Sequence, residues 1–395
     1  MAKRLDALVL GAGLNALGVV RTLGQAGLRI AVAALDQSGP AFDSRFTSKC
    51  IRLTKLDTPP EALARLTGAD ADRPVLYLTQ EIDVENCLTN PESWSSYFRT
   101  YFYTPGTARS LLSKATFGEM AVQAGAPVPR TLYIRSSEDL SLIHNLHAPV
   151  VVKPVQRDSA ADMRGWKADR FEELGDAIDL CEEMLEARTE CVVQEWIHGT
   201  DQSIYFNLLF IDAKGVLRSS FVGRKVLCWP PGVGGTASCV AAPEAHDELT
   251  EISKSFLDSV GFRGLIGVEY KRDSDSGDYF MVEPTVYRTD YQHEISALNG
   301  GRFLMDVFDA CHGRSVPYTP YYSNAVYWVD TPAAGRARAL STAEPEYGMN
   351  ARRADAWLRT TDPWPGVRLY FRLAIRPLMR RLRNVSNRIR RLGNA

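Results

Sequence analysis

The chain has 395 residues, 45% hydrophobic and 24% charged, with a formal net charge of -1. That is ordinary globular composition, long enough for two or three domains, and the near-neutral total excludes a chain that binds nucleic acid with its whole surface. Seven scattered cysteines without metal-ligand spacing fit reduced thiols in a cytoplasm rather than a disulfide framework or a zinc site, and no apolar stretch approaches the ~20 residues needed to cross a bilayer.

In chain order, residues 5–10, LDALVL, read as a buried strand. The charged start runs directly into a glycine turn, GAGLNALG, so it reads as a first strand and not as a signal peptide. An apolar-periodic helix follows to about Gly27, and RIAVAALD, residues 29–36, is a second strand. Gly11, Gly13 and Ala16 make a G-x-G-x-x-A pattern, with Asp36 about twenty residues on. Alone this is a weak sign of a nicotinamide or flavin enzyme, because the same turn serves any close strand-to-helix packing. CIRLTK (50–55) and PVLYLTQE (74–81) complete an expected parallel sheet of about 100 residues.

A second unit opens near Thr104 with a turn, a short helix start and an amphipathic helix closed by Gly125. TLYI and PVVVKPV read as strands, residues 156–168 as a polar loop, 171–187 as a helix and CVVQEWI (191–197) as a strand. IYFNLLFID and GVLRSSFVGRKV make a hairpin about Ala213–Lys214–Gly215. A loop, WPPGVGGTA, and a helix near 244–260 lead into GLIGVEYKRD and DYFMVEP. The units expected from this order are residues 1–103, 104–190, 191–315 and a C-terminal extension, 316–395.

Several of these elements end in chemistry. In VVVKP, Lys153 closes an apolar strand, where a buried ammonium is costly unless an anion meets it; a phosphate is a natural partner. Lys114 sits one turn into the helix that opens this unit. Gln194, Glu195, Trp196 and Ile197 offer an amide and a carboxylate beside an apolar wall, a mix that suits an adenine. Asp201, four residues on, is placed for ribose hydroxyls. Glu269 and Glu283 lie 14 residues apart around a turn at Ser274–Asp278, so they belong to adjacent antiparallel strands and converge on one side. Two carboxylates side by side repel unless a cation sits between them, and Mg²⁺ shared with phosphate oxygens is the fitting ion. Arg288 adds a fork for a carboxylate or phosphate. For each residue alone the bland alternative is a solvated surface side chain; the combination favours a site.

In this order, Lys114, the lysine of VVKP, QEWI with a following G-x-D, strand-borne Glu269 and Glu283, and Arg288 resemble the ATP-grasp superfamily over about residues 1–310. The resemblance implies an α/β fold, with a Rossmann-like parallel-sheet domain, a two-lobed ATP-grasp domain and a basic C-terminal helix. EPTVYRTD, with Arg224–Lys225 and PPGVGGTA upstream, resembles the carboxylate–amine ligase group that includes D-aspartate ligases. By position, Lys114 and Lys153 are then expected on ATP phosphates. Gln194, Glu195 and Ile197 would line the adenine, and Asp201 the ribose. Glu269 and Glu283 would hold Mg²⁺, while Arg288, Arg224 and Lys225 would face the acyl phosphate or substrate carboxylate. The glycine turn would shape an acceptor-side pocket instead of binding NAD. Three positions depart from the pattern. Thr285 stands where an asparagine often adds a metal ligand. The phosphate-covering loop QRDSAADMRGW holds one glycine, Gly165. Tyr287 replaces a glycine before the arginine and is expected to narrow the acceptor pocket.

The implied reaction is activation of a carboxylate by ATP as an acyl phosphate, then attack by an amine to give an amide, ADP and phosphate. No general base stands out, though His293 lies near the site in sequence. The competing readings are a thiol or hydroxyl acceptor, or a nucleotide-binding protein that has lost catalysis.

Residues 366–395 carry nine arginines and no Asp or Glu, leaving about -10 on the rest of the chain. Phe371, Ile375, Leu378, Leu382, Val385, Ile389 and Leu392 recur at spacings of three and four, one apolar helical face, with Pro377 bending or splitting it. Such a helix lies on an anionic membrane, docks on the acidic body of its own chain, or, least favoured, binds RNA. The first reading makes the protein peripheral on the inner membrane face. It adds a lipid-linked or cell-envelope glycan carboxylate to the small-molecule substrates expected beside the amine, and no nucleic-acid partner.

Overall fold

A computed structural model describes residues 4–375, apart from 36–37, 56, 69–72, 156–167, 233, 321, 324, 342 and 349 and the side chain at 115. Asp36, the whole of the expected phosphate-covering loop QRDSAADMRGW and the tail beyond 375 therefore lie outside the described residues.

The first sheet is parallel, as its apolar runs predict. Strands β1 (Ala7–Leu10), β2 (Ile30–Ala34), β3 (Thr47–Arg52) and β4 (Val75–Leu78) lie in the order β3-β2-β1-β4. Residues 7–10, 30–34 and 75–78 are buried throughout, as strands covered on both faces must be. Helix α1 (Leu14–Gln25) leaves β1 through Gly11, whose φ is +95°. A Cβ there would meet Thr79 Oγ1 at 2.2 Å, so the turn needs glycine on both counts. Helix α2 (Pro60–Thr67) precedes β4, and α3 (Glu81–Thr89) and α4 (Pro91–Tyr97) follow it.

Helices α5 (Pro105–Leu112) and α6 (Lys114–Gln123) lead to a four-stranded sheet. It is built from β5 (Thr131–Ile134), β6 (Val150–Pro154), β7 (Asp169–Phe171) and β8 (Cys191–Glu195), in the order β5-β8-β6-β7. Helix α7 (Leu174–Glu186) packs Ala177, Cys181 and Met184 against it. The helix expected from 171 starts three residues later, because Phe171 extends β7 and pairs with Val150.

The largest sheet has seven strands, ordered β13-β12-β9-β10-β11-β14-β15. They are β9 (Ile204–Ile211), β10 (Leu217–Trp229), β11 (Gly235–Ala241), β12 (Gly264–Arg272), β13 (Tyr279–Val286), β14 (Val326–Val329) and β15 (Arg352–Asp355). Helices α8 (His246–Ser259), α9 (Gln292–Leu298), α10 (Phe303–Cys311) and α11 (Thr331–Arg338) accompany it. The sheet runs across residue 315: β14 pairs with β11, and β15 pairs with β14.

The C-terminal segment is also bolted to the first domain. Arg21 of α1 is 1% exposed and Asp362 is 0% exposed, and the pair is 2.9 Å apart. Arg21 donates further to the carbonyls of Ala356 and Trp357, while Asp362 accepts from Ser44 Oγ and the Arg45 amide. Arg359 and Trp328 both donate to Glu294 on α9. A buried pair satisfied this fully fixes geometry more than it adds net stability.

Candidate active site

A cleft of about 930 Å³ lies between the four-stranded sheet and the seven-stranded one. Strands β12 and β13 set its floor. Their register puts Glu269 directly opposite Glu283, with a bulge immediately after that pair. Directly opposed like charges destabilise a hairpin unless something positive joins them. Lys225, from β10, reaches across β9 and places Nζ 2.6 Å from Glu269 Oε2. It is 4% exposed. Burial alone would lower its pKa, but the Glu269 carboxylate outweighs that and holds it above the ordinary lysine value.

The opposite wall comes from β5, β6 and β8. Lys153 Nζ donates to Gln194 Oε1 at 3.1 Å, and Gln194 Nε2 donates to Thr131 Oγ1 at 2.9 Å. Burial pulls the Lys153 pKa down, Glu283 pulls it up, and Lys114 pulls it down again. Lys153 therefore faces the carboxylate pair with no ion pair of its own among the described residues. Lys114, at the first position of α6, also lines the cleft, as do Glu195, Trp196 and Ile197. Glu195 accepts from the His147 amide and pairs with its ring at 2.9 Å, which fixes the β8 end.

The far end is built by the turn after β13 and the start of α3. Arg288 contacts Asp290 at 2.5 Å and Glu81 at 3.4 Å. Burial tends to lower the pKa of Arg288, while Asp290 and Glu81 raise it, for a net rise. Thr285 lines the cleft beside Glu283. Within the described residues no three His, Cys, Asp or Glu side chains gather as a metal cluster. The facing Glu269–Glu283 pair still fits Mg²⁺, which takes one or two protein carboxylates and completes its shell with water and phosphate oxygens.

The structure brings Lys114, Lys153, Gln194, Glu195, Ile197, Lys225, Glu269, Glu283 and Arg288 onto one cleft. It places two expected residues elsewhere. Arg224 neighbours Lys225 on a strand and so points to the other face; it donates to Gln202 and to the Glu346 carbonyl. Asp201 spends both carboxylate oxygens on the amides of Cys228 and Gly232, 2.7 Å each, and pins the loop that ends β10. Neither lines the cleft. His293 is fully buried, with Nδ1 on Thr289 Oγ1 and Nε2 beside Gly18, without a hydrogen-bond partner among the described residues. Burial lowers its pKa to about 4. Tyr287 does not narrow the cleft. Its ring is buried against Phe102 and Phe262, and its hydroxyl accepts from the Thr104 amide.

Sequence reading missed Lys271 and Glu81 and gave Trp196 only as part of the strand end suited to an adenine. The signal for Lys271 was present: on a strand, residue 271 shares a face with Glu269. Lys271 Nζ lies 3.6 Å from the Trp196 ring centroid. Burial, with Arg170 nearby, lowers its pKa to about 8.

No protein-family model matches the chain. A D-aspartate ligase of Enterococcus faecium (strain Aus0004) is 23% identical over 350 residues, covering 82% of each chain. Among solved structures, an N5-carboxyaminoimidazole synthetase from Staphylococcus aureus, complexed with ADP, aligns with a TM-score of 0.60 and 16% identity over 81% of each chain. The biotin carboxylase domain of a 2-oxoglutarate carboxylase from Hydrogenobacter thermophilus, in complex with MgADP and bicarbonate, aligns with a TM-score of 0.62 and 13% identity. That alignment covers 82% of this chain and 74% of that one. At these identities the likeness of structure establishes the fold.

Proposed function

We propose that this chain, which has the ATP-grasp fold, is an ATP- and Mg²⁺-dependent carboxylate–amine ligase. One observation carries the reading: Glu269 and Glu283 stand opposite each other on the floor of a cleft whose other wall presents Lys153. That is a cation site facing a phosphate site. Glu269 and Glu283 would hold the Mg²⁺, which would supply charge neutralisation for phosphoryl transfer. Lys153 and Lys114 bind ATP phosphates. The β8 end, Gln194 to Ile197, receives the base: its backbone groups pair the purine edge while apolar side chains cover its faces. Arg288 orients the substrate carboxylate for attack on the γ-phosphate, giving an acyl phosphate and ADP. An amine then attacks the carbonyl carbon, the C–N bond forms and phosphate leaves. Alignment and charge, not covalent help from the protein, perform the first step.

The test is ADP release with Mg-ATP and a panel of carboxylates led by D-aspartate, with hydroxylamine as nucleophile to trap an acyl phosphate as its hydroxamate. A hydroxamate formed with one ADP supports the ligase. ATP binding with no ADP from any carboxylate, lipid-linked acids included, favours lost catalysis; hydroxamate formed where thiols or alcohols, but no amines, are accepted favours the other acceptor class.

A second reading concerns where the enzyme works. Residues 364–375 are helical, and Trp364, Val367 and Phe371 are 57%, 45% and 64% exposed. Their spacing continues the apolar stripe of the tail upstream. The same helix holds the first domain through Arg368 on Asp43 and Arg372 on the Ser38 carbonyl. An apolar face turned outward beside an arginine-rich tail suits an anionic lipid surface, and with it a lipid-linked or envelope glycan substrate. Sedimentation with phosphatidylglycerol vesicles, and not with phosphatidylcholine ones, is expected; no binding to either removes the reading.

A further inference from the structure

Lys271 is 8% exposed, on the cleft-facing side of β12. Its surroundings are wrong for a resting cation. Arg170 stands 4.8 Å from the same Trp196 ring that Lys271 contacts, and Lys153 adds like charge. Both oxygens of nearby Asp201 are taken by backbone amides. No ion pair to Lys271 occurs among the described residues. The indole 3.6 Å away gives a cation–π contact, which recovers only part of the cost of burying an ammonium. A group in this state is held ready for an anion.

Its place in the cleft says which anion. Trp196 lies within the stretch that receives the base, and Lys271 is two residues along β12 from Glu269. At about 3.4 Å per residue, its Cα lies roughly 7 Å from that of the metal-binding carboxylate. A nucleotide with its base at Gln194–Ile197 and its last phosphate at Glu269 and Glu283 must pass Lys271 with its ribose-proximal phosphate. We propose that Lys271 is a nucleotide-binding residue, donating to the phosphate nearest the ribose, and that Trp196 holds the ammonium when no nucleotide is present. This rests on the ATP reading above.

The test is calorimetric titration of the full chain with the non-hydrolysable analogue AMPPNP and Mg²⁺, in the wild type, Lys271→Met and Lys271→Arg. Lys271→Met is expected to weaken binding at least tenfold, and Lys271→Arg to stay within threefold of wild type. Ligand-free melting of Lys271→Met should be at or above that of the wild type, since a merely structural lysine would lower it. Met binding within twofold of wild type, or Arg no better than Met, overturns the role of Lys271 while leaving the ATP reading standing. A wild type that binds no AMPPNP overturns the ATP reading first, and this inference with it.

Discussion

Lys225 and Glu269 form a 2.6 Å ion pair beneath the cleft, with the lysine 5% and the glutamate 28% exposed at their side chains. The two facing carboxylates are therefore not equivalent. Glu269 serves both the floor of the site and the charge of a buried lysine, while Glu283 faces Lys153 from the other strand. Glu269→Gln is expected to lose activity and also destabilise the fold by about 3 kcal/mol, because it leaves an ammonium buried without its counter-charge. Glu283→Gln should abolish ADP formation with a much smaller change in stability. Urea unfolding of the two variants checks the asymmetry. Equal stability losses would mean Lys225 is served by another group. The double variant Lys225→Met/Glu269→Gln should recover most of the loss.

Asp83, in the first turn of α3, carries a buried Oδ2 with no hydrogen-bond partner among the described residues. Burial raises its pKa from 3.8 to about 7. The folded form thus binds a proton that the unfolded chain has already released. Its favourable contribution is complete below pH 4 and is lost as pH rises through 7. At about 1.4 kcal/mol per unit this amounts to roughly 4 kcal/mol. Asp83→Asn does not titrate, so its stability relative to wild type should grow between pH 4 and about pH 7 and level off above that. A difference that stays flat with pH would show that Asp83 is hydrated in solution.

Much of this site could be read from the chain, and the limits have physical causes. The hairpin around Ser274–Asp278 fixes which strands meet, so the opposition of Glu269 and Glu283 follows from a count along the sequence. Lys153 is visible because it ends an apolar run. Arg224 and Lys225 are adjacent on one strand and face opposite ways, so only one of the two can reach the cleft. Asp201 was not readable, since its amide partners sit in a loop about thirty residues away whose path one sequence does not set. The addition of β14 and β15 to the large sheet was equally hidden. Each has four residues, too few for a period to show. The substitution at 287 was half legible. The backbone does take the left-handed conformation a glycine favours, with φ +54° at Tyr287, but the ring goes to the core and not to the cleft.

Asp362→Ala is expected to cost about 3–5 kcal/mol, since it strands the Arg21 guanidinium in a buried site. Thermal unfolding measures this. The same contact predicts how far the chain can be shortened. Ending it after residue 375 should leave a cooperative fold with the cleft intact. Ending it after residue 355 should not, because Arg21 then loses Asp362 and the carbonyls of Ala356 and Trp357 together. A cooperative, full-strength melt from the shorter chain would show that the link between α1 and the C-terminal segment is dispensable.

The terminal helix offers a cleaner separation of fold from docking. Trp364 and Phe371 are more than half exposed, so Trp364→Glu/Phe371→Glu removes little buried area and should change the melting temperature by no more than a degree or two. On an anionic vesicle the same change costs apolar insertion and adds charge repulsion at the point where the helix leaves the body of the protein. Binding to phosphatidylglycerol vesicles is expected to fall at least tenfold, while ADP formation from a soluble carboxylate is unchanged. If the double variant binds vesicles as the wild type does, Trp364 and Phe371 lie outside the docking face. If it melts much earlier, these side chains pack on a part of the chain beyond residue 375, and the tail covers its own stripe.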